Sequence, residues 1–207
     1  MVIVFGSVNL DLVARVARIP APGETIAGRT LATLPGGKGA NQALAARAAG
    51  AAVALYGAVG ADAFADAALA NLRAAGVDLT GVATVGAPTG VALINVADDG
   101  ENAITVVPGA NALARADAVP DDRLARGVTL LMQLEVPAAE VAALAARAHA
   151  RGASVVLNAA PAVPLPDAIL SALAVLVVNE SEAAAYASAW QLPAAPAERL
   201  HLQQRSS

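Results

Sequence analysis

Short apolar runs alternate along the chain with longer alanine-rich segments that have helical spacing. The apolar runs are bounded by glycine, proline or polar residues, which is typical of β-strands. The predicted strands are Val2–Phe5, Val53–Tyr56, Val128–Met132, Ser154–Leu157 and Val175–Val178.

The alanine-rich segments predict helices between these strands. The predicted helices are Ala40–Ala49, Asp62–Ala74, Pro137–Ala150 and one that begins near Ser181. Gly50 and Gly76 follow the first two, at the position where glycine adopts a left-handed conformation at little cost. Repeated strand–helix–strand units predict an α/β fold in which a mostly parallel sheet is flanked by helices.

Two segments, at about residues 12–34 and 82–107, interrupt this alternation. The second contains three β-like runs, Val82–Val85, Val91–Val96 and Ala103–Val107. Asp98-Asp99-Gly100 between the last two is a strong hairpin signal. We expect both segments to form a small antiparallel β lid that stands off the core. Residues 1–190 are predicted to form one incomplete domain, followed by an aperiodic tail at 191–207.

Composition narrows the classes of partner. Although 57% of the residues are hydrophobic, no apolar stretch approaches the roughly 20 residues that cross a bilayer. A net charge of −4 and an aromatic content of 2% argue against binding to nucleic acid. The absence of cysteine excludes disulfides and thiolate metal sites. We therefore expect a cytoplasmic protein that binds a small molecule, with neither membrane nor nucleic acid as a partner.

The strongest local motif is Gly36-Gly37-Lys38-Gly39-Ala40-Asn41-Gln42-Ala43. Its glycines allow the backbone to approach a ligand, and the first N–H groups of the following helix would point at that ligand. The motif is not a P-loop, because Lys38 is followed by glycine rather than serine or threonine. Gly6-Ser7-Val8-Asn9 lacks the spacing of a Rossmann fingerprint, which argues against an NAD-binding protein. The alternative interpretation is a flexible turn into a helix.

Polar side chains follow several predicted strands, at the edge where open α/β sheets bind ligands. Asn9 and Asp11 come after the first strand and are two residues apart, so in an extended segment they point the same way. A carboxylate there can accept hydrogen bonds from two vicinal hydroxyls, which suits a polyol. Glu135 follows another strand, and Asn179 and Glu182 follow the last. Turn capping, a solvated side chain and a helix start are the respective alternatives.

Taken in order, these segments resemble the ribokinase-type members of the phosphofructokinase-B (PfkB) family of carbohydrate kinases. The resemblance extends from the start of the chain to about residue 186. The matching stretches are Gly6–Asp11, Pro22–Thr25, Gly36–Ala43, Thr89–Ile94, Gly100–Asn102, Pro108–Asn111, Met132–Glu135, Leu157–Ala162 and Asn179–Glu182. The lysine of the glycine motif, followed by Ala-Asn-Gln-Ala, favours this branch over fructokinase-like or adenosine kinase-like members.

The resemblance implies a ribokinase-like fold and ATP-dependent phosphorylation of D-ribose to ribose 5-phosphate. It implies a sugar pocket that is formed by Asn9, Asp11, Gly37, Lys38, Gly39, Ala40, Asn41 and Glu135. It also implies that Asn179 contacts the nucleotide phosphates and that Glu182 places Mg²⁺ through water. The small sheet would cover the sugar and form the contact of a homodimer, and K⁺ would be the monovalent cation.

One part of the family pattern has no counterpart in this sequence. The family carries its catalytic base on a Gly-Ala-Gly-Asp segment near the C-terminus, whereas here no glycine follows Gly152 and no aspartate follows Asp167. We therefore expect the C-terminal part of the fold to be missing, with the base, most of the nucleotide site and the K⁺ site. One hypothesis is a ribokinase-type enzyme whose chain is inactive alone, and the other is a catalytically dead sugar-binding or regulatory module. Another pentose or a nucleoside is an alternative to ribose.

Overall fold

The chain forms strands and helices in alternation, and a computed structural model describes residues 1–190. The strands are β1 (Val2–Phe5), β2 (Asn9–Val16), β3 (Gly28–Gly36), β4 (Val53–Gly60), β5 (Asp78–Val85), β6 (Gly90–Val96), β7 (Asn102–Val107), β8 (Thr129–Met132), β9 (Ser154–Asn158) and β10 (Val175–Val177). The helices are α1 (Lys38–Ala48), α2 (Ala63–Ala75), α3 (Ala138–Ala150), α4 (Asp167–Ala172) and α5 (Glu180–Ala189). The predicted tail at 191–207 lies outside the described residues.

Six strands form a parallel sheet in the order β10-β9-β8-β1-β4-β5. Successive residues of β1 face its opposite sides. Ile3 and Phe5 lie in a buried cluster with residues of α3, and Val4 lies in a second cluster with residues of α1 and α2. Helices therefore cover both faces, and β4 is buried at every position. The predicted α/β fold with a mostly parallel sheet is confirmed.

Four strands form a second sheet, called the small sheet below, in the order β3-β2-β6-β7. Its outer pairs are antiparallel, whereas its central pair, β2 and β6, is parallel. The assignment of Val82–Val85 to this sheet is wrong, because these residues belong to β5 and pair with β4. Val82 packs against the buried cluster that contains Leu69 and Leu72 of α2. This tertiary contact decides the partner of β5, and the local pattern does not encode it.

The C-terminal ends of α1 and α2 follow the predicted glycine signals. Gly50, with φ of 90°, comes one residue after the C-cap of α1. The side chain of Asp62 caps α2 by accepting a hydrogen bond from the N–H of Ala65, and Gly76 ends α2 in the left-handed conformation. Among residues 1–190, no helix has both the length and the apolarity that a bilayer crossing requires.

Only three residues, Gly6, Ser7 and Val8, join β1 of the parallel sheet to β2 of the small sheet, and they are called the link between the sheets below. The Gly6 N–H donates to the carbonyl of Tyr56 in β4, and the Ser7 carbonyl accepts the N–H of Ala40 in α1. The end of β1, the start of β2 and the first turn of α1 therefore meet at one place. The carboxyl end of β8 lies beside it, since β8 pairs with β1.

Candidate functional site

Glu135 lies beyond the carboxyl end of β8 and is held through one of its oxygens. Its Oε2 accepts hydrogen bonds from Ser7 Oγ at 2.6 Å and from the backbone N–H of Lys38 at 3.0 Å. The ammonium of Lys38 lies 4.0 Å from the other oxygen, Oε1. Because two protein donors already occupy Oε2, Oε1 is the oxygen that remains for a ligand hydroxyl.

Asp11, on β2, adds a second carboxylate to this region. Burial raises the pKa of Asp11 above its ordinary value, and the negative charge of Glu135 raises it further. A Cβ atom on Gly36 would lie 2.3 Å from both carboxylate oxygens of Asp11, so Asp11 lies beside the glycine motif, whose Lys38 N–H binds Glu135. Together with Lys38, the two carboxylates provide hydrogen-bond acceptors and a cationic donor, a combination that can bind a polyol.

The glycine motif lets α1 pack directly on the link between the sheets. A Cβ atom on Gly39 would lie 2.6 Å from backbone atoms of Gly6 and Ser7. One on Gly37 would lie 2.8 Å from the backbone nitrogen of Asn9, and Gly37 also has φ of 90°, which other residues rarely adopt. A residue with a side chain therefore cannot occupy either position without moving the backbone.

The first N–H groups of α1 are engaged within the protein. That of Lys38 donates to Glu135, that of Gly39 donates to Ser7 Oγ at 3.3 Å, and that of Ala40 donates to the Ser7 carbonyl at 2.9 Å. The expectation that these groups point at a ligand is therefore not met. The reason is that the N-cap of α1 is a glycine without a capping side chain, so other elements supply the acceptors.

The two predicted asparagines of the pocket differ in their surroundings. Asn9 is buried, and its Oδ1 accepts a hydrogen bond from Asn111 Nδ2 at 2.7 Å. Asn41 is exposed on the first turn of α1, and its backbone N–H donates to the carbonyl of Gly37. The structure thus brings Asn9, Asp11, Lys38 and Glu135 around one link, and places Asn41 at its solvent side.

A cleft of about 680 Å³ opens beside this group of residues. Its walls include Lys38, Glu135 and Glu182 from the core, and Ile104 and Val106 from the small sheet. Of the predicted site residues, Lys38, Glu135 and Glu182 therefore line a volume large enough for a small organic ligand.

Asn179 and Glu182 form a capping box at the start of α5. The N–H of Glu182 donates to Asn179 Oδ1 at 2.8 Å, and the N–H of Asn179 donates to Glu182 Oε2 at 2.9 Å. The helix-start alternative is thus realised for this pair. Glu182 also lines the cleft, whereas Asn179 does not. Their roles toward nucleotide and metal stay predictions.

Three buried polar residues complete the floor of the site, and sequence reasoning assigned them no role. Ser7, Asn111 and Gln133 are each 1% exposed or less. Gln133 Nε2 donates to Gln42 of α1, and its Oε1 has no hydrogen-bond partner within residues 1–190. All three lie in stretches that carry the family resemblance, which is the one signal that could have identified them.

Replacing Ser7 by alanine should lower the free energy of unfolding by about 2 kcal/mol, because it removes a bond to a carboxylate and leaves the Gly39 N–H without this acceptor. Urea denaturation measures this difference. The control is Ser154→Ala, at the exposed start of β9, which should change stability by less than about 0.5 kcal/mol. Equal, small effects of the two substitutions would contradict the holding role of Ser7.

Known proteins are similar in sequence to this chain over most of its length. The family described as pfkB family carbohydrate kinase matches residues 1–205. Ribokinase of Haemophilus influenzae is 40% identical over 183 residues, which cover 87% of this chain and 60% of that protein. Ribokinase of Schizosaccharomyces pombe is 41% identical over 192 residues, covering 88% and 60%. The chain thus spans about 60% of the length of these curated relatives.

Solved structures are similar over the same part. Ribokinase from Thermotoga maritima has a TM-score of 0.84 and 32% sequence identity, covering 92% of this chain and 63% of that chain. Arabidopsis thaliana ribokinase complexed with ribose and ATP has a TM-score of 0.78 and 34% identity, covering 87% and 60%. These similarities confirm the ribokinase-like class of the fold.

Proposed function

We propose, because this chain belongs to the pfkB family of carbohydrate kinases, that the protein phosphorylates D-ribose with ATP to give ribose 5-phosphate and ADP. The observation that carries the proposal is the group of Asp11, Lys38 and Glu135 at the carboxyl edge of the parallel sheet. Ribokinases of 35 to 41% identity support ribose as the sugar.

In this proposal the sugar lies beside Lys38 with its hydroxyls directed at the two carboxylates. Asp11 and Glu135 Oε1 accept hydrogen bonds from hydroxyls, and the Lys38 ammonium donates to a sugar oxygen. Bonds of this charge-assisted kind contribute roughly 1.5–3 kcal/mol each, so that several together select one arrangement of hydroxyls. The backbone at Gly37, Gly39 and Ala40 forms the floor, with Asn9 and Asn41 at the sides.

ATP is the proposed co-substrate, which the ATP complex of the Arabidopsis ribokinase supports. Asn179 at the N-terminus of α5 would contact the nucleotide phosphates. The carboxylate of Glu182 fits a metal held through water, because Mg²⁺ prefers oxygen ligands and retains several waters. Bound Mg²⁺ would neutralise charge on the transferring phosphoryl group. We assign no described residue to K⁺.

The proposed location is the cytoplasm, which agrees with the lack of cysteine.

Ribose-dependent release of ADP by the full 207-residue chain, measured in a coupled assay beside calorimetric titration with D-ribose, tests this function. Turnover supports the kinase. Saturable ribose binding without turnover supports the alternative of a sugar-binding or regulatory module. Tighter binding of another pentose or of a nucleoside would change the proposed substrate. If neither ribose, another pentose nor a nucleoside bound, the carbohydrate assignment would be contradicted.

The small sheet is the proposed contact of a homodimer. Its residues Leu34, Ile104 and Val106 are each 45% exposed or more, and the strand register places them on the face that carries Asp11. Exposed apolar side chains that share one face of a sheet favour packing against a second copy.

Replacing Ile104 by glutamate should weaken self-association about 1,000-fold, because a two-fold interface buries one copy from each subunit and each side chain of this size contributes roughly 2 kcal/mol. Sedimentation equilibrium measures this change. The control is Leu31→Glu, which places the same charge at an exposed apolar position on the opposite face of the small sheet. A monomeric parent protein, or an equal effect of both substitutions, would refute a dimer through this face.

A further inference from the structure

Asn111 lies in the short 3₁₀ turn Gly109–Leu113, is 1% exposed and is bound on three sides. Its Oδ1 accepts the backbone N–H of Val8 at 2.9 Å. Its Nδ2 donates to the Val8 carbonyl at 3.1 Å and to Asn9 Oδ1 at 2.7 Å. Both hydrogens of the Asn111 amide are therefore used.

The backbone of Val8 determines which end of each amide is the oxygen. A backbone N–H can only donate and a carbonyl can only accept, so the Asn111 side chain has one allowed orientation. The atom of Asn9 that faces Asn111 Nδ2 must then be an acceptor, which is its oxygen. The orientation of Asn9 therefore follows from partners whose chemistry is unambiguous.

As a consequence, Asn9 keeps its NH₂ group for another partner. The structure describes no hydrogen bond from Asn9 Nδ2 within residues 1–190. Asn9 and Asp11 lie on the same face of β2, separated by one residue. The pair of asparagines also requires bare backbone at Gly90, where a Cβ atom would lie 2.2 Å from Asn111 Nδ2 and 2.3 Å from Asn9 Oδ1.

We propose that Asn111 is a positioning residue that fixes Asn9 as a hydrogen-bond donor toward the ligand, next to Asp11 as an acceptor. This inference rests on the proposed function and specifies how the same site recognises individual hydroxyl groups of a sugar. The hydroxyl that faces Asn9 is recognised through its oxygen, and the hydroxyl that faces Asp11 through its hydrogen. Fluorine accepts weakly and cannot donate, so it can replace the first hydroxyl but not the second.

The test compares D-ribose with its monodeoxy and monofluoro analogues at each carbon in turn, by calorimetric titration of the full chain. In the parent protein, the fluoro analogue should bind about 2- to 10-fold more tightly than the deoxy analogue at one carbon, which is the effect of one neutral hydrogen bond. Asn111→Asp cannot donate to Asn9, so the Asn9 amide turns and presents its oxygen. That preference for fluorine should then disappear. Equal fluoro-to-deoxy ratios in both proteins would overturn the proposal.

Two controls separate positioning from loss of structure. Thr89→Val removes the hydrogen bonds that the side chain of buried Thr89, the neighbour of Gly90, makes to Asp62 and Gly60 without touching Asn9, and it should keep the fluorine preference. Asn9→Asp keeps the acceptor toward Asn111 but removes the donor, and should abolish the preference. A loss of preference in Thr89→Val would show that stability alone controls it and would overturn the proposal.

NMR of the ¹⁵N-labelled chain tests the orientation without a variant. The side-chain NH₂ of Asn111 should exchange slowly with solvent, whereas that of Asn9 should exchange faster and shift when D-ribose is added. The reverse exchange pattern would overturn the proposal. A chain that does not bind D-ribose, yet has the expected exchange pattern, would contradict the proposed function while supporting the positioning of Asn9 by Asn111.

Discussion

Replacing Asp11 by alanine should weaken D-ribose binding about 1,000-fold, because it removes at least two charge-assisted hydrogen bonds of roughly 1.5–3 kcal/mol each. The thermal midpoint should stay the same or rise slightly. The structure describes no hydrogen bond that Asp11 accepts from residues 1–190, and burial raises its pKa, so its charge opposes folding at neutral pH. Calorimetric titration and thermal denaturation measure the two effects.

Asp62→Ala is the matched control for this substitution. Asp62 accepts hydrogen bonds from Thr89 and caps α2, and these bonds lower the pKa of Asp62. This variant should lower the thermal midpoint by several degrees and leave ribose affinity unchanged. If Asp11→Ala instead lost as much stability as Asp62→Ala, Asp11 would be a turn cap rather than a ligand-binding residue.

The two aspartates should also respond oppositely to acid. The raised pKa of Asp11 means that its unfavourable contribution disappears as pH falls through its folded-state pKa toward the ordinary value. The lowered pKa of Asp62 means that its favourable contribution is present above the ordinary value and is lost as pH falls through the folded-state pKa. The pH dependence of the free energy of unfolding, measured for each variant and for the parent protein, gives the contributions of Asp11 and Asp62 individually.

Gly39→Ala should lower the free energy of unfolding by about 3 kcal/mol, because overpacking against backbone cannot be relieved by a change of rotamer. The new methyl group would lie 2.6 Å from backbone atoms of Gly6 and Ser7, which would push α1 away from Glu135. The direction of this change distinguishes the two cases. Without the clash, Gly39→Ala would raise the free energy of unfolding, because alanine in a helix is favoured over glycine by about 0.5–1 kcal/mol. Urea denaturation measures the change, and ribose titration should show a loss of binding.

Gly50→Ala is the control for the glycine substitution. Gly50 has φ of 90°, but a Cβ atom added there would have no neighbouring atom within 4 Å, so only the strain of the left-handed conformation is added. This strain costs about 1 kcal/mol. A Gly39→Ala protein as stable as the parent would mean that α1 does not pack this closely on the link between the sheets.

The parallel sheet was predictable because its signals are local. Asp62 and Gly76, for example, mark the ends of α2 by side-chain capping and by a left-handed turn, and both chemistries are visible in the sequence. The partner of β5 was not predictable, because the burial of Val82 against α2 places β5 in the parallel sheet. A run of β-branched residues indicates a strand without indicating its neighbour.

The candidate site divides in the same way. Asp11 and Glu135 were candidates because they follow predicted strands, but only the family resemblance implied their role in a sugar pocket. Position relative to a strand does not single out Ser7 and Asn111, because they act through hydrogen bonds to residues 128 and 103 positions away along the chain. Their residue types do not distinguish them from ordinary turn-forming residues.

The three-residue link between the sheets restricts how this protein can be recombined with its relatives. Gly6 is hydrogen-bonded to β4, Ser7 to α1, and Val8 to Asn111. A chimaera whose two parental sequences meet at this point would combine β2 of one parent with β4, α1 and Asn111 of the other. Chimaeras that keep residues 1–16 from one parent and exchange only the exposed tips near residues 17–25 and 98–101 avoid this mismatch. The tips of the small sheet are therefore the part that laboratory evolution can exchange as a cassette.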